Sequence, residues 1–184
     1  MKVLIIVAHP DLENSRLNRS LIEKVQSEKS ITTHLLYKEY LDWKIDVTRE
    51  QELLSQHDRI VLQFPLYWYS TPPLLKKYMD DVLEYGWAFG EGGGKLKGKQ
   101  LMVATTLGVH PDVYRAGGIG QFTLSELLRP LQATASFCGM IYLPAYAIGG
   151  DLSDEALSSR AEEYLEAVQC LRPRGTTLPK ELAT

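Results

Sequence analysis

The sequence predicts an α/β domain in which helices cover both faces of a doubly wound parallel sheet. Short apolar runs alternate along the chain with segments of helical periodicity. The first run, residues 2–8 (KVLIIVA), is aliphatic on both strand faces, as a central parallel strand must be. The 184 residues suit one domain, and no internal repeat or linker divides them. We therefore expect a single domain over residues 1–172 and a loosely ordered tail over residues 173–184.

The first half of the chain alternates strands with helices. Apolar residues recur at helical spacing over residues 16–27, and Ser15 directly before them is a suitable N-cap. Thr48 and Gln51 match the spacing of a capping box, which predicts a short helix through Leu54. The strands predicted in this half are residues 2–8, 32–37 and 60–64.

The second half continues the alternation. Pro72 and Pro73 suit the start of a helix that carries one apolar stripe. Residues 122–137 predict another helix, which Pro130 must kink or divide. Residues 153–171 predict a closing helix with acidic residues at its start. The strands predicted in this half are residues 100–106 and 140–147.

Five strands with right-handed crossovers favour a five-stranded sheet in the flavodoxin-like order 2-1-3-4-5. In this order, ligands bind outside the carboxyl ends of strands one and three. Three loops lie at that edge, namely residues 9–18, 65–71 and 105–114. We expect the functional residues in these loops.

Composition and charge exclude several classes of function. With 20 Lys and Arg against 23 Asp and Glu, the net charge is −3, which gives no basic field for nucleic acid. Cys138 and Cys170 are too few for a disulfide framework, and no cysteine spacing indicates a metal site. No apolar run approaches the roughly 20 residues of a membrane span. We therefore expect a cytoplasmic protein without a metal site.

The first loop predicts an anion site. The free N–H groups at the start of a helix, together with the Ser15 and Asn18 side chains, suit a phosphate, and Arg16 adds a positive charge. Alternatively, Ser15 only caps the helix and Arg16 is solvated. The chain contains no Gly-x-Gly-x-x-Gly fingerprint, so a nucleotide phosphate must be held in another way.

Residues 93–99 have the glycine and lysine spacing of a phosphate-binding P-loop. However, Gln100 stands where Ser or Thr must ligate magnesium, and the segment precedes a strand instead of following one. This argues against an ATPase.

The second and third loops predict a site for a flat ring. Tyr67, Trp68 and Tyr69 directly follow a buried strand, where an isoalloxazine ring can lie against them. Core or dimer packing of these aromatic residues is the alternative. Thr105 and Thr106 offer hydroxyl groups, and Gly108 permits close approach of a ligand. Together the loops describe a flat aromatic cofactor with a phosphate tail.

Five motifs then show a resemblance over residues 1–147: AHP near the N-terminus, S-x-x-N, PLYWYS-x-PPLLK, GWAFG and TT-x-G. In combination they resemble the flavodoxin-fold NAD(P)H:quinone reductases, in particular the ancillary subunits of glutathione-gated potassium efflux systems. The resemblance implies a homodimeric flavoprotein that takes a hydride from NAD(P)H and passes it to a quinone. FMN is the implied cofactor and FAD the alternative. We favour FMN because the chain lacks an adenosine-binding glycine motif.

The resemblance also implies roles for individual residues. Tyr114 is similar to a tyrosine over the substrate side of the flavin, although it lies about one residue later than in the family. Leu107 replaces a glycine that is common in this loop, which is expected to narrow the approach to the ring. The residues implied to bind the cofactor are His9, Ser15, Arg16, Leu17, Asn18, Pro65, Leu66, Tyr67, Trp68, Tyr69, Thr105, Thr106, Leu107 and Gly108.

Three questions stay open at this point. His110 either supplies a proton to the reduced quinone or caps its loop, and we favour the cap. The chain can be an enzyme, an ancillary subunit docked on a potassium efflux antiporter at the inner face of the membrane, or a one-electron carrier; its mild charge disfavours the carrier. A surplus of loop aromatic residues favours a homodimer: Tyr67, Trp68, Tyr69, Trp87 and Phe89.

Overall fold

A computed structural model describes residues 1–170, and it has the predicted parallel sheet with helices on both faces. The strand order is β2-β1-β3-β4-β5, and a further strand, β6, also pairs with β4. The strands are β1 (Val3–Val7), β2 (Ile31–Leu35), β3 (Arg59–Pro65), β4 (Gln100–Leu107), β5 (Ile141–Tyr142) and β6 (Tyr146–Gly149). The helices are α1 (Arg16–Val25), α2 (Leu36–Glu39), α3 (Val47–Ser55), α4 (Pro73–Val82), α5 (Leu124–Leu127), α6 (Arg129–Phe137) and α7 (Asp154–Gln169), with a short 3₁₀ helix at Pro111–Val113.

Side-chain alternation along the central strand β1 divides the core into two layers. Leu4 and Ile6 pack on one face with residues of α2, α4 and α6. Val3, Ile5 and Val7 pack on the other face with residues of α1 and α7. All five residues of β1 are buried, which confirms its predicted central position.

The structure refines several predicted elements. The predicted fifth strand is divided, because β5 and β6 both pair with β4 but are separated by residues 143–145, which include Pro144. The helix predicted over residues 122–137 is divided at Leu128, so that Pro130 lies in the first turn of α6, where its missing N–H costs nothing. Residues 36–37, predicted as strand, begin the short helix α2.

The capping box predicted at Thr48 and Gln51 is wrong. The N-cap lies two residues earlier, at Asp46, whose carboxylate accepts the Arg49 N–H at 3.1 Å. An aspartate is as good an N-cap as a threonine, and here it comes first in the chain. A full capping box is present instead at Thr123 and Glu126, at the start of α5.

The ends of the chain are described only in part. The predicted tail over residues 173–184, and the end of the predicted closing helix, lie outside the described residues. Within residues 1–170, no helix is both long and apolar enough to cross a membrane.

Arg59 fixes the end of the closing helix. Its guanidinium is buried at the start of β3 and donates to the carbonyls of Ala167, Val168 and Cys170. Its Nε–H donates to the Gln100 side-chain oxygen at 2.7 Å. A cation at this position satisfies carbonyls that the helix leaves unpaired and interacts favourably with the helix dipole.

A polar cluster is buried between β2, α3 and α4. The Glu50 carboxylate is fully buried, its Oε1 accepts the Tyr40 hydroxyl at 2.5 Å, and it lies 3.1 Å from His34 Nε2. Burial alone raises the pKa of Glu50, but the interactions with His34, Tyr40 and Tyr78 outweigh it and lower the pKa overall. The charged carboxylate therefore stabilises the folded state.

Glu50→Gln is expected to reduce the dependence of stability on pH. Because the native pKa is lowered, the stabilisation by Glu50 is complete above its unfolded pKa of about 4.3 and is lost as the pH falls through the native pKa. The variant should be less stable than the wild type near neutral pH by on the order of 1–3 kcal/mol. Urea unfolding should show this difference disappearing well below pH ~4.

Glu52→Gln is the matched control, since Glu52 lies on the same helix but is exposed. This control should change the free energy of unfolding little at either pH. A difference between Glu50→Gln and the wild type that is the same at neutral and acidic pH contradicts the assigned role of Glu50.

Candidate functional site

The three predicted loops meet at the carboxyl edge of the sheet. The Leu66 N–H donates to the Thr106 carbonyl at 2.9 Å, which joins the second and third loops. The Asn18 side chain donates to the Thr106 hydroxyl at 2.8 Å, which joins the third loop to the start of α1. The rings of His9 and Tyr67 meet edge to face, with 6.4 Å between centroids. Each loop is therefore positioned by contact with another.

The first loop presents an anion site at the start of α1. Ser15 is the N-cap, and its Oγ accepts the Asn18 N–H at 3.4 Å. The N–H groups of Arg16 and Leu17 have no acceptor among the described residues, and they lie at the positive end of the helix dipole. The Arg16 side chain is paired with Asp154 at 2.7 Å, so its charge is already partly compensated. The backbone supplies the free donors here.

His9 follows β1, belongs to the loop that leads into α1, and is half-buried. Burial lowers the pKa of His9, although the Asp11 carboxylate opposes this effect. Its Nδ1 accepts the Asp11 N–H at 3.1 Å, so the neutral ring carries its proton on Nε2. His9 therefore offers one N–H donor near neutral pH.

The second loop is a tight aromatic hairpin. Tyr67 and Ser70 exchange two backbone hydrogen bonds of 3.0 Å, and between them Trp68 and Tyr69 have φ angles of +47° and +64°. Positive φ at both central residues is the pattern of a type I′ turn, in which Asn and Gly are the usual residues. A non-glycine residue in this region costs on the order of 1–3 kcal/mol.

The aromatic side chains of this hairpin are displayed to solvent. Trp68 is 93% exposed, and Tyr67 and Tyr69 are also exposed. Pro65 is buried in β3 and Leu66 is half-buried against the core. Strained backbone and exposed apolar area together indicate a surface shaped for a flat ligand.

The third loop contains an orphaned polar atom and an open glycine. The Thr105 hydroxyl is buried without a hydrogen-bond partner in the described part of the chain. A Cβ added at Gly108 meets no protein atom within 4 Å, so the protein leaves space there. Leu107 does not narrow this space, because its side chain is buried against Gly149. A Cβ added at Gly149 would lie only 2.7 Å from the Leu107 Cβ. The Leu107 side chain thus packs inside the sheet and does not obstruct the approach to Gly108, although obstruction had been expected.

Tyr114 and His110 lie on the segment that follows this loop. Tyr114 ends the 3₁₀ helix and is half-buried, and its carbonyl accepts the Leu124 N–H at 3.3 Å. His110 caps the same helix, because its Nδ1 accepts the Asp112 N–H at 3.3 Å. The capping alternative for His110 is therefore the one that the structure shows.

Two buried residues behind the site, Gln63 and Tyr164, were not predicted; both connect to Asn18, which was. Asn18 is fully buried, and its carbonyl and side-chain oxygen accept bonds from Gln63 of β3 at 3.1 and 3.3 Å. The Gln63 oxygen accepts the hydroxyl of Tyr164 on α7 at 2.9 Å. Asn18 therefore supports the site from its buried side. A glutamine within the apolar strand Ile60–Phe64 was the sequence signal that could have found this contact.

The aromatic residues of the loop before β4 behave differently from those of the hairpin. Trp87 and Phe89 are half-buried and pack against the core, so they are not part of an exposed aromatic surplus. Phe89 instead contacts the exposed rings of Tyr85 and Phe137, with centroids at 5.8 and 5.0 Å.

Together, the edge of the sheet fits a flat ring with a phosphate-bearing tail. Free N–H groups at α1 and the His9 Nε2–H suit the phosphate. The aromatic hairpin, the orphaned Thr105 hydroxyl and the space at Gly108 suit the ring.

Comparison with known proteins agrees with this architecture. A family model described as flavodoxin-like fold matches residues 1–169. The uncharacterized NAD(P)H oxidoreductase YrkL of Bacillus subtilis is 51% identical, over 91% of this chain and 99% of that protein. The glutathione-regulated potassium-efflux system ancillary protein KefG of an Enterobacter species is 40% identical, over 95% of this chain and 96% of that protein.

Three solved structures superpose closely. General stress protein 14 of Treponema denticola, in complex with FMN, has a TM-score of 0.88 and 39% identity over 94% of this chain and all of that one (100%). An NADPH-quinone reductase from P. pentosaceus has a TM-score of 0.86 and 36% identity over the same shares, 94% and 100%. A thermophilic tryptophan halogenase from Streptomycin violaceusniger has a TM-score of 0.88 and 48% identity over 90% and 98%. These names differ in reaction, but the fold and the extent of the match agree, and the chain belongs to the flavodoxin-like fold family.

Proposed function

We propose that the chain is an FMN-dependent NAD(P)H:quinone oxidoreductase. The observation that carries the proposal is the strained and exposed aromatic hairpin at Trp68 and Tyr69, joined through Thr106 to a helix N-terminus with free N–H donors. Relatives named NAD(P)H oxidoreductase and NADPH-quinone reductase support the reaction class. FMN, when bound, supplies the hydride and electron chemistry, and the protein supplies binding and orientation.

Different described residues would bind different parts of FMN. The N–H groups of Arg16 and Leu17, with the Nε2–H of His9, would hold the phosphate. The hairpin aromatic residues would pack on the ring, and the Thr105 hydroxyl would gain the partner it lacks within the protein. Gly108 would allow close approach of the ring to the backbone.

FMN is favoured over FAD by the number of phosphate sites. The start of α7 also lies at this edge, but its first turn carries the carboxylates of Asp154 and Glu155, which disfavour a phosphate there, and Arg16 is paired with Asp154. A second phosphate would have little compensation. The Treponema denticola neighbour binds FMN, which agrees with this choice.

Tyr114 would act on the substrate. Its phenol is half-buried and makes no hydrogen bond within the described residues, so its O–H is free to donate to a quinone oxygen. If NAD(P)H and the quinone occupy the same stacking surface in turn, the first product must leave before the second substrate binds.

We also propose that the chain forms a homodimer, because its exposed aromatic area is larger than a single flavin ring would cover. Besides the hairpin, the exposed rings of Tyr85 and Phe137 form a second apolar patch around Phe89. Light scattering should give twice the monomer mass; a monomer at micromolar concentration contradicts the dimer.

A role as an ancillary subunit of a potassium efflux antiporter is the second candidate. Its support is the 40% identity to the KefG relative over 95% of this chain. Co-purification with the membrane antiporter encoded in the same cell tests it, and catalysis and docking do not exclude each other.

The visible spectrum of the purified protein tests the proposed cofactor. We expect flavin absorption bands, or their appearance after addition of FMN, and FMN as the flavin released on denaturation. Released FAD contradicts the choice of FMN. A protein that takes up neither flavin contradicts the proposed function.

Trp68→Gly is expected to stabilise the flavin-free protein while weakening FMN binding. Glycine adopts the positive φ without strain, and the tryptophan, which is 93% exposed, contributes little burial. We expect a gain of about 1 kcal/mol in the flavin-free stability. FMN affinity should fall on the order of fivefold, since the lost ring contact is worth about 1 kcal/mol.

Phe137→Ala is the control, because it removes an exposed ring outside the candidate site. It should leave FMN affinity unchanged in a fluorescence titration. Unchanged FMN affinity in Trp68→Gly would remove the hairpin from the site.

Initial-rate kinetics test the shared substrate surface. Parallel double-reciprocal lines are expected for NAD(P)H and quinone, and Tyr114→Phe should lower quinone turnover without changing the flavin spectrum. Intersecting lines contradict the shared surface. Wild-type turnover in Tyr114→Phe would remove that residue from the reaction.

A further inference from the structure

A chain of buried side chains runs from α7 to the candidate site. Tyr164 on α7 bonds Gln63 on β3, Gln63 bonds Asn18 on α1, and Asn18 bonds Thr106 at the end of β4. Tyr164, Gln63 and Asn18 are fully buried, and Thr106 is 6% exposed. No other part of the proposed function uses Tyr164 or Gln63.

The direction of each hydrogen bond is fixed by a backbone carbonyl. Gln63 Nε2 lies 3.1 Å from the Asn18 carbonyl, which can only accept, so the Gln63 amide nitrogen must face Asn18. Its oxygen therefore faces Tyr164, and the phenol must donate at 2.9 Å. Asn18 Oδ1 accepts from Gln63 at 3.3 Å, which turns the Asn18 amide nitrogen away from Gln63.

The Asn18 amide nitrogen then donates to two hydroxyl oxygens at the site. It donates to Thr106 Oγ1 at 2.8 Å and to Ser15 Oγ at 3.4 Å. Ser15 Oγ also accepts the Asn18 backbone N–H at 3.4 Å. Neither hydroxyl donates to an acceptor within residues 1–170. Both O–H groups therefore remain able to donate to a bound ligand.

We propose that Tyr164 is a positioning residue for the cofactor. Through Gln63 and Asn18 it holds the hydroxyls of Ser15 and Thr106 as hydrogen-bond donors toward the polar phosphate and ribityl tail of FMN. This inference rests on the proposed function. Without the phenol, the Gln63 oxygen loses its buried donor, and the amide is oriented from the Asn18 side alone, so the Asn18 side chain is held less firmly.

Tyr164→Phe removes the donor and keeps the ring. We expect the affinity for FMN, measured by fluorescence titration, to fall on the order of three- to tenfold, the effect of one lost hydrogen bond. Tyr146→Phe is the matched control. Tyr146 packs against Tyr164 with 5.3 Å between ring centroids, and its hydroxyl donates to the Arg160 carbonyl outside the chain of bonds. Both variants should lower the melting temperature, but only Tyr164→Phe should change FMN affinity.

A double-mutant cycle with Thr106→Val separates positioning from general destabilisation. If Tyr164 acts through Thr106, the two changes together should weaken FMN binding by less than the product of their separate effects. Thr106→Ser should retain the affinity that Thr106→Val loses, because serine restores the hydroxyl. If Tyr164→Phe does not fold, Tyr164→Phe/Gln63→Leu replaces it, since it removes the Gln63 oxygen that Tyr164→Phe leaves without a donor. It also removes the donor to Asn18, so it should weaken FMN binding at least as much.

The outcomes distinguish this inference from the function on which it rests. A wild-type protein that does not bind FMN overturns both. If the wild-type protein binds FMN, any of three results overturns the positioning role alone. These results are unchanged FMN affinity in Tyr164→Phe, an equal loss of affinity in Tyr146→Phe, or effects that multiply fully in the double-mutant cycle.

Discussion

The parallel pairing of β1, β3 and β4 brings the three loops of the candidate site to one edge of the sheet. Val7 pairs with Gln63, and Pro65 pairs with Thr106, so the three strands end at the same edge within a few residues. This register places a helix N-terminus, an aromatic hairpin and a threonine pair beside one another. A shift of one residue would turn the side chains of a strand to the opposite face, and the buried bonds between Gln63, Asn18 and Thr106 could not form.

Several unfavourable features of the fold lie at that edge. Trp68 and Tyr69 adopt backbone conformations that suit glycine, the Thr105 hydroxyl is buried without a partner, and Trp68 is almost fully exposed. Elsewhere the buried cation Arg59 is satisfied by carbonyls at the end of α7. The Glu50 cluster is a second place with buried polar atoms that lack a hydrogen-bond partner, but Glu50 lies there among polar groups of the protein itself. A protein retains such local costs where a ligand compensates for them, which agrees with a cofactor that covers the hairpin.

Local sequence patterns predicted most of the architecture, and long-range contacts set the rest. The aliphatic run of β1 and the helical periodicity of α1 are local signals, and both elements are where they were predicted. Pro144 was a local signal for the break after Tyr142, but that both β5 and β6 pair with β4 depends on long-range contacts. Likewise, Asp46 was overlooked as a cap because Thr48 offered an equally good local pattern.

In the candidate site, too, local patterns were predictable and long-range contacts were not. The loops and their residue types were predictable, since parallel strands bring their carboxyl ends together. The orientation of Asn18 was not, because it depends on Gln63 and on Tyr164, which is 101 residues farther along the chain than Gln63. Arg16 was expected to contribute charge to the site, but an ion pair with Asp154 of α7 engages it.

Titration of the flavin-free protein with FMN and with riboflavin, followed by flavin fluorescence, measures how much the phosphate contributes to binding at this edge of the sheet. The two ligands share the ring and the ribityl chain and differ in the phosphate. If the N-terminus of α1 holds the phosphate and the hairpin holds the ring, FMN should bind on the order of a hundredfold more tightly than riboflavin, as expected for about two charge-assisted hydrogen bonds. Equal affinities for the two ligands, or binding of neither, would contradict the account.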